Sequence, residues 1–179
     1  MSEYSYDTRI GKLKFTQDFN NGYPTHETVE VLFDELDFQR ACQAYVWAIP
    51  ILSFAQWQYA HNVQLGAKNG QIIYFESYQD KLGGLTYNVT TPYALPFIDL
   101  ADGPWIAEMP KGEIRGAAHD AWQIGITQIT EPGKYLFVGP GQETPPNAEA
   151  EGFKIYQSPT NNLLLGIRLM PESSEERLL

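Results

Sequence analysis

From Gln71 onward the chain is a series of short apolar runs, each separated from the next by a turn-forming segment. The IIYF run at 72–75 is the first, and Leu85, Tyr87 and Val89 then alternate with polar neighbours, which is typical of a half-buried strand. Further strands are predicted at 97–100, 105–109, 117–126, 135–138, 153–156 and 163–169. Turn segments such as DGP, PKGE, EPGK and SPTNN lie between them. This spacing predicts an antiparallel sandwich or barrel.

Residues 88–110, NVTTPYALPFIDLADGPWIAEMP, form either the border of an active site or a corner of the sandwich. Pro92 and Pro96 bracket three residues there. Because proline cannot donate a hydrogen bond to a sheet ladder, we predict an edge strand or a connection between two sheets. The Asp-Gly-Pro turn at 102–104 then reverses the chain. The architectural interpretation accounts for this pattern without any chemistry, and we therefore favour the corner.

The first 66 residues show a different pattern. Residues 1–24 are predicted to be an arm with one short strand, after which Thr25 can cap a helix. Asp37 can cap a second helix, and Pro50 is expected to kink or interrupt it. The apolar stripe predicted for this second helix comprises Phe38, Ala41, Cys42, Tyr45, Ala48, Ile49 and Leu52.

The predicted fold class is therefore α+β, with N-terminal helices packed on an antiparallel β-sandwich or barrel-like domain. We expect helices over 25–66 and strands over 67–170, which together form a single globular domain. A chain of 179 residues suffices for one domain with a sizeable core.

Composition excludes several classes of protein. The 22 acidic and 12 basic residues give a net charge of −10, which disfavours nucleic acids and anionic membranes as partners because phosphate binding needs clustered Lys and Arg. The lone Cys42 cannot form an internal disulfide and is predicted to be a small buried hydrophobe. No apolar run approaches the ~20 residues of a membrane span, and the N-terminus lacks a secretory signal. We expect a soluble cytoplasmic protein, or a periplasmic one if the N-terminus is incomplete.

Several motifs occur together in one order: LDFQRACQAYVWAIPI, the 88–110 stretch, GAAHDAW, GKYLFVGPGQE and YQSPTNNLLLGIRLM. In this respect residues 25–170 resemble the bacterial domain-of-unknown-function 1254 family. The resemblance implies an antiparallel β-rich domain preceded by helices, usually followed by a second β-rich domain of the 1214 family. It therefore implies that 171–179 is a truncated link to a missing C-terminal domain, the expected partner, and that the chain is a fragment. The family has no settled activity.

His119, Asp120 and Trp122 are the first candidates for chemistry. Adjacent strand residues point to opposite faces, so His119 and Asp120 are not expected to form a dyad. Asp120 shares a face with Trp122, where an aromatic wall could raise the pKa of a catalytic carboxyl. The alternative, which we favour, is that Asp120 accepts backbone hydrogen bonds at a bend and that Trp122 belongs to the core. His119 and Trp122 remain weak candidates for ligand binding.

Tyr93 and Asp99 are the second pair of candidates. Tyr93 follows a proline in a segment expected to border an opening, where its phenol could donate to a ligand. Asp99 lies between Ile98 and Leu100 and therefore faces away from them. It is a catalytic candidate if that face lines a pocket and an ordinary surface residue if the face is solvated.

No metal site or cofactor is predicted. The three histidines, His26, His61 and His119, are scattered singly, without ligand-pair spacing, and no phosphate loop or nucleophile elbow occurs. We therefore predict a ligand-binding or interaction module that works with a C-terminal domain, with a homo-oligomer as a further partner. The alternative is an enzyme that acts on a small uncharged molecule by carboxylate and tyrosine acid–base chemistry, in a pocket shared with that domain.

Overall fold

A computed structural model of the chain describes residues 4–77, 84 and 86–170. The helix α1 spans His26–Tyr59 and continues into a short π-helical turn, Ala60–Gln64. The strands are β1 (Tyr4–Thr8), β2 (Gly11–Phe15), β3 (Ile72–Phe75), β4 (Tyr93–Asp99), β5 (Trp105–Met109), β6 (Ile114–Asp120), β7 (Gly125–Ile129), β8 (Gly133–Val138), β9 (Phe153–Gln157) and β10 (Asn162–Leu169). The chain divides into two compact units, and the boundary lies within α1 between Ile49 and Pro50.

The first unit contains the antiparallel β1–β2 hairpin and the start of α1. Thr25 caps the helix as predicted, because its Oγ1 accepts the N–H of Thr28 at 3.3 Å. The buried Thr28 hydroxyl in turn donates to the carbonyl of Lys14 at 2.9 Å and accepts the Lys14 N–H at 2.7 Å. One threonine therefore joins the first turn of the helix to β2.

The prediction of two separate helices is wrong, since α1 is one helix of 34 residues that continues through Pro50. Asp37 does not cap a new helix but lies 3.7 Å from the guanidinium of Arg40 one turn later. The predicted burial of Cys42 is also wrong, because Cys42 is exposed, as is Tyr45 of the same stripe. A 3.6-residue period identifies an apolar helix face but does not determine what covers it.

The second unit contains a five-stranded antiparallel sheet, ordered β3-β4-β10-β6-β7, and a three-stranded sheet, ordered β5-β8-β9. Within the smaller sheet β8 and β9 are parallel. One face of the larger sheet packs against the smaller sheet through a core that includes Ile98, Leu163 and Phe137. The other face carries Phe97 and packs against Phe54 of α1. The fold is therefore α+β with a sheet sandwich, as predicted, and is not a closed barrel.

Most predicted strands are confirmed, and two predictions need correction. The run at 117–126 is two strands, β6 and β7, joined by a turn. Tyr87 and Val89 do not lie in a strand, and Leu85 lies outside the described residues. The Asn88 carboxamide Oδ1 accepts both the backbone N–H and the hydroxyl of Thr90, at 2.9 and 2.6 Å. Such local hydrogen bonds compete with strand pairing, so alternation alone was an insufficient signal.

The prolines do not place β4 at a sheet edge. β4 lies between β3 and β10, and its pairing with β10 stops at Phe97 and resumes at Ala94. The ladder therefore omits Pro96, which has no N–H to donate. The corner itself is confirmed, because β4 and β5 belong to different sheets and the turn with Gly103 connects them. In this turn the Gly103 N–H donates to the carbonyl of Leu100 at 3.1 Å.

The pairing of β6 with β10 should be sensitive to a methyl group at Gly116. A Cβ there would lie 2.6 Å from the Gly166 carbonyl oxygen and 2.6 Å from the Ile167 Cδ1, whereas a Cβ at Gly125 would meet nothing within 4 Å. We expect Gly116→Ala to lower the free energy of unfolding by about 1–3 kcal/mol through overpacking. Gly125→Ala should leave it unchanged or raise it by about 0.5–1 kcal/mol. Urea denaturation checks both, and equal effects would contradict the β6–β10 register.

Candidate functional site

A pocket of about 250 Å³ lies against the helix-facing side of the five-stranded sheet. We call it the aromatic pocket, because rings from α1, the loop before β4 and β4 itself line it. Phe54 and Trp57, one turn apart, face the sheet from the last turns of α1. Their rings meet the ring of Phe97 edge to face, with centroids 5.3 and 5.6 Å apart. Helical spacing thus gives the pocket its first wall.

Strand alternation supplies the second wall. Tyr93 and Leu95 are alternate residues of β4, and Leu164 and Gly166 are alternate residues of β10, so all four line the same face. His119 of β6 is the direct cross-strand partner of Leu164 and lines the pocket beside it. Gly166 keeps the pocket open, since a Cβ at this position would meet only the Leu95 Cδ2, at 3.8 Å.

The loop before β4 completes the wall with Thr86 and Tyr87. The Tyr87 ring stacks on the Tyr93 ring with centroids 4.7 Å apart. The Tyr93 hydroxyl oxygen accepts the N–H of Asn88 at 3.0 Å, which ties the loop to the strand. The guanidinium of Arg168 lies 5.9 Å from the Tyr93 ring centroid, a cation–π contact that further fixes the ring.

Three lining residues each carry a buried polar atom that has no hydrogen-bond partner among the described residues: Trp57 Nε1, Tyr87 Oη and His119 Nδ1. Leaving such an atom unpaired costs about 1–3 kcal/mol, so buried polar groups are ordinarily paired. Burial, and next the neighbouring phenol of Tyr93, raise the pKa of Tyr87 above its ordinary value of 10.0. The Tyr87 hydroxyl is therefore neutral at physiological pH and keeps its proton as a hydrogen-bond donor.

The lining contains no Asp, Glu, Lys or Arg among the residues that the structure describes. Among its other polar side chains, Gln123 donates Nε2 to the carbonyl of Pro50 at 2.7 Å and is thereby committed to the protein. Within the described ranges no three His, Cys, Asp or Glu side chains are grouped to hold a metal ion. The described part of the chain also has no helix long and apolar enough to cross a membrane. The pocket thus offers aromatic surface and neutral hydrogen-bonding groups.

The structure brings two of the predicted site residues together and separates the others from them. Tyr93 and His119 line the aromatic pocket, whereas Asp99, Asp120 and Trp122 do not. Asp99 is exposed, and its Oδ1 accepts the N–H of Ala101 at 2.9 Å. It lies six residues along β4 from Tyr93, a distance of about 20 Å in a strand.

Asp120 is a buried carboxylate at the end of β6, where it organises the turn to β7. Its Oδ1 accepts the N–H groups of Trp122 and Ile124 at 2.9 and 2.8 Å. Its backbone N–H donates to the Ile124 carbonyl at 3.0 Å. Asp120 is the cross-strand partner of Leu163, which belongs to the core between the two sheets, so it projects away from the face that carries His119. The two residues therefore form no dyad.

Sequence reasoning missed the residues that complete the pocket. Phe54 and Trp57 lie in the region predicted to be helical, 25–66, but were not predicted to belong to a site, and Tyr87 was predicted to be a strand residue. The available signal was the aromatic spacing of Phe54, Trp57 and His61, which places three rings along one side of a helix end. The His61 ring indeed contacts the Phe97 ring, with centroids 4.9 Å apart.

Comparisons with known proteins give a family and a fold. A family model described as "Protein of unknown function (DUF1254)" matches residues 71–178. No curated protein matches the sequence. Among solved structures, the crystal structure of the VPA0106 protein from Vibrio parahaemolyticus is similar, with a TM-score of 0.56, 16% sequence identity and coverage of 75% of this chain. The chain spans 33% of that protein's length, and at this identity the likeness concerns the fold alone.

Substitutions of Asp120 and of Asp99 should differ sharply in their effect on the free energy of unfolding. Asp120→Ala leaves two turn N–H groups without their acceptor, so we expect the free energy of unfolding to fall by about 2 kcal/mol or more. Asp99→Asn keeps an acceptor oxygen at an exposed corner and should change the free energy of unfolding by at most ~1 kcal/mol. Chemical denaturation measures both values, and a large loss for Asp99→Asn together with none for Asp120→Ala would contradict these roles.

Proposed function

The chain belongs to the DUF1254 family, and we propose that it is a ligand-binding module whose site is the aromatic pocket. The observation that carries this proposal is the set of three buried polar atoms, on Trp57, Tyr87 and His119, that have no partner among the described residues. A ligand that pairs with them would offset the cost of leaving them unpaired. The alternative, that each atom stays unpaired in every state, leaves that cost unexplained.

The chemistry of the pocket defines the class of ligand. The indole N–H of Trp57 is only a donor, so the ligand needs an acceptor atom, whereas the Tyr87 hydroxyl can donate or accept. Aromatic walls favour a flat ring, and the absence of charged groups from the described lining favours an uncharged molecule. The volume of about 250 Å³ lies just below the ~300–1,000 Å³ of sites for drug-sized ligands, which favours a molecule with a single ring.

The enzymatic alternative requires a carboxylate beside Tyr93. Asp99 lies about 20 Å away along β4, and Asp120 projects to the opposite face of the sheet. Neither reaches the aromatic pocket in the described structure. Binding therefore has better support than carboxylate and tyrosine chemistry, which would need a carboxylate supplied from another domain.

The proposal predicts weak but specific binding of 4-hydroxybenzamide, an uncharged single ring with an acceptor and donors. Isothermal titration calorimetry should detect binding to the wild-type chain and its loss in Gly166→Val, whose side chain fills the pocket. Gly125→Val adds the same side chain where nothing lies within 4 Å and should bind like the wild type. Tyr87→Phe removes one hydroxyl and should weaken binding about five-fold.

Two results would contradict the binding proposal. One is a wild-type chain that shows no heat of binding up to the solubility limit of the probe. The other is equal affinity in Gly166→Val and Gly125→Val, both verified as folded by circular dichroism. Either result would mean that the aromatic pocket is packed space and not a ligand site.

We also propose that α1 docks a C-terminal domain, through an exposed helix segment between Leu32 and Ile49. Large apolar side chains there are mostly in solvent, with Phe38 and Tyr45 at 65% and 67% exposure. Exposed apolar surface of this kind marks an interaction site. The likeness to VPA0106, of which this chain spans 33%, supports a partner in a longer protein.

The exposed helix segment should bind apolar dyes in the 179-residue chain. We expect Tyr45→Glu to reduce the fluorescence enhancement of 1-anilinonaphthalene-8-sulfonate markedly, because it places a charge in the apolar surface. Gln43→Glu is the matched control, since it adds the same charge to a neighbouring exposed polar residue of the helix. A monodisperse wild-type monomer that binds no dye would contradict the docking proposal.

A further inference from the structure

The two sheets of the second unit meet along one side and separate along the other. β7 contacts β9, and β3 and β5 are the outer strands at the opposite side. Between β3 and β5 lies a cavity of about 520 Å³, which we call the inter-sheet cavity. It is within the ~300–1,000 Å³ range of pockets that hold small molecules.

The inter-sheet cavity is apolar and distinct from the aromatic pocket. Its floor is formed by Ala94 and Ile98 of β4, residues that alternate with those lining the aromatic pocket and therefore face the opposite side of the sheet. Ala107 and Met109 of β5 form the roof. Both alanines have small side chains, which leaves space that larger side chains would fill.

One hydroxyl interrupts this apolar lining. Tyr74 of β3 lines the cavity, and its Oη is buried without a hydrogen-bond partner among the described residues. The other ionisable side chain of the described lining is Glu108, which is exposed at the rim.

We infer that the inter-sheet cavity is a second binding site, for an uncharged and mainly hydrocarbon molecule that carries one hydrogen-bonding group. The apolar walls contact the hydrocarbon part, and the Tyr74 hydroxyl pairs with the single polar group. Filling the cavity restores the dispersion contacts that its lining lacks and removes apolar ligand surface from water. A charged headgroup is disfavoured inside the cavity, because the described lining contains no Lys or Arg to pair with an anion, and its carboxylate, Glu108, lies exposed at the rim.

The test is a titration of the chain, carrying 13C-methyl methionine, with 1-decanol, a hydrocarbon chain with one hydroxyl. Met109 lines the cavity, and we expect its methyl resonance to shift in a saturable way. Ala107→Phe and Ala94→Leu each place extra side-chain volume in the cavity, and whichever is folded should bind at least ten-fold more weakly. Gly166→Val, which fills the aromatic pocket on the other face, should bind 1-decanol like the wild type.

The role of the hydroxyl is tested separately with Tyr74→Phe. This variant should bind 1-decanol about five-fold more weakly, the scale of one net hydrogen bond, and should bind naphthalene, which has no polar group, with unchanged affinity. A Met109 resonance that does not move up to the solubility limit of 1-decanol would overturn the inference. So would equal binding in the wild type and in a folded cavity-filling variant, or equal loss of both probes in Tyr74→Phe.

Discussion

Burial of both faces of the five-stranded sheet is the constraint on which the second unit depends. Leu163 and Leu165 of β10 face the smaller sheet, whereas Leu164 between them faces the end of α1. A strand covered on both sides has no solvent face, so its sequence is a continuous apolar run and not an alternating one. The helix end, the large sheet and the small sheet therefore form three layers. The large sheet is the middle layer, and β4 and β10 lie inside it.

Both cavities arise where this layered packing contains residues that are too small to fill it. On the helix-facing side Gly166 leaves the aromatic pocket open, and on the other side Ala94 and Ala107 leave the inter-sheet cavity open. Close-packed interiors seldom leave voids larger than one water molecule, so gaps of this size reduce stability unless they are occupied. Each gap is also lined by a residue whose buried polar atom has no hydrogen-bond partner among the described residues, and the two binding proposals rest on this combination.

The positions of the strands were predicted from the sequence more completely than the residues of the site, because strands follow from local alternation and the site depends on packing between distant segments. The run at 105–109 is a strand as predicted, because alternation reports a half-buried face directly. The segment with Asn88 alternates equally well, yet its side chain forms a local turn. Trp57 has the helical spacing of an ordinary core residue, and only the distant strands decide that it borders a pocket. Tyr93 was identified from its position after a proline in a segment expected to border an opening, and His119 from its place beside Asp120.

Two long-range hydrogen bonds join the end of α1 to β10 and to the turn between β6 and β7. Gln58 Nε2 donates to Asn162 Oδ1 of β10 at 2.8 Å, and Gln123 Nε2 donates to the carbonyl of Pro50 at 2.7 Å. Gln123 adopts a backbone φ of 62°, in the left-handed region that non-glycine residues seldom occupy. Such a conformation persists where the surrounding structure holds it, here through the turn organised by Asp120. The buried carboxylate that first resembled a catalytic group thus contributes to the pocket indirectly, by fixing the turn from which Gln123 reaches the helix.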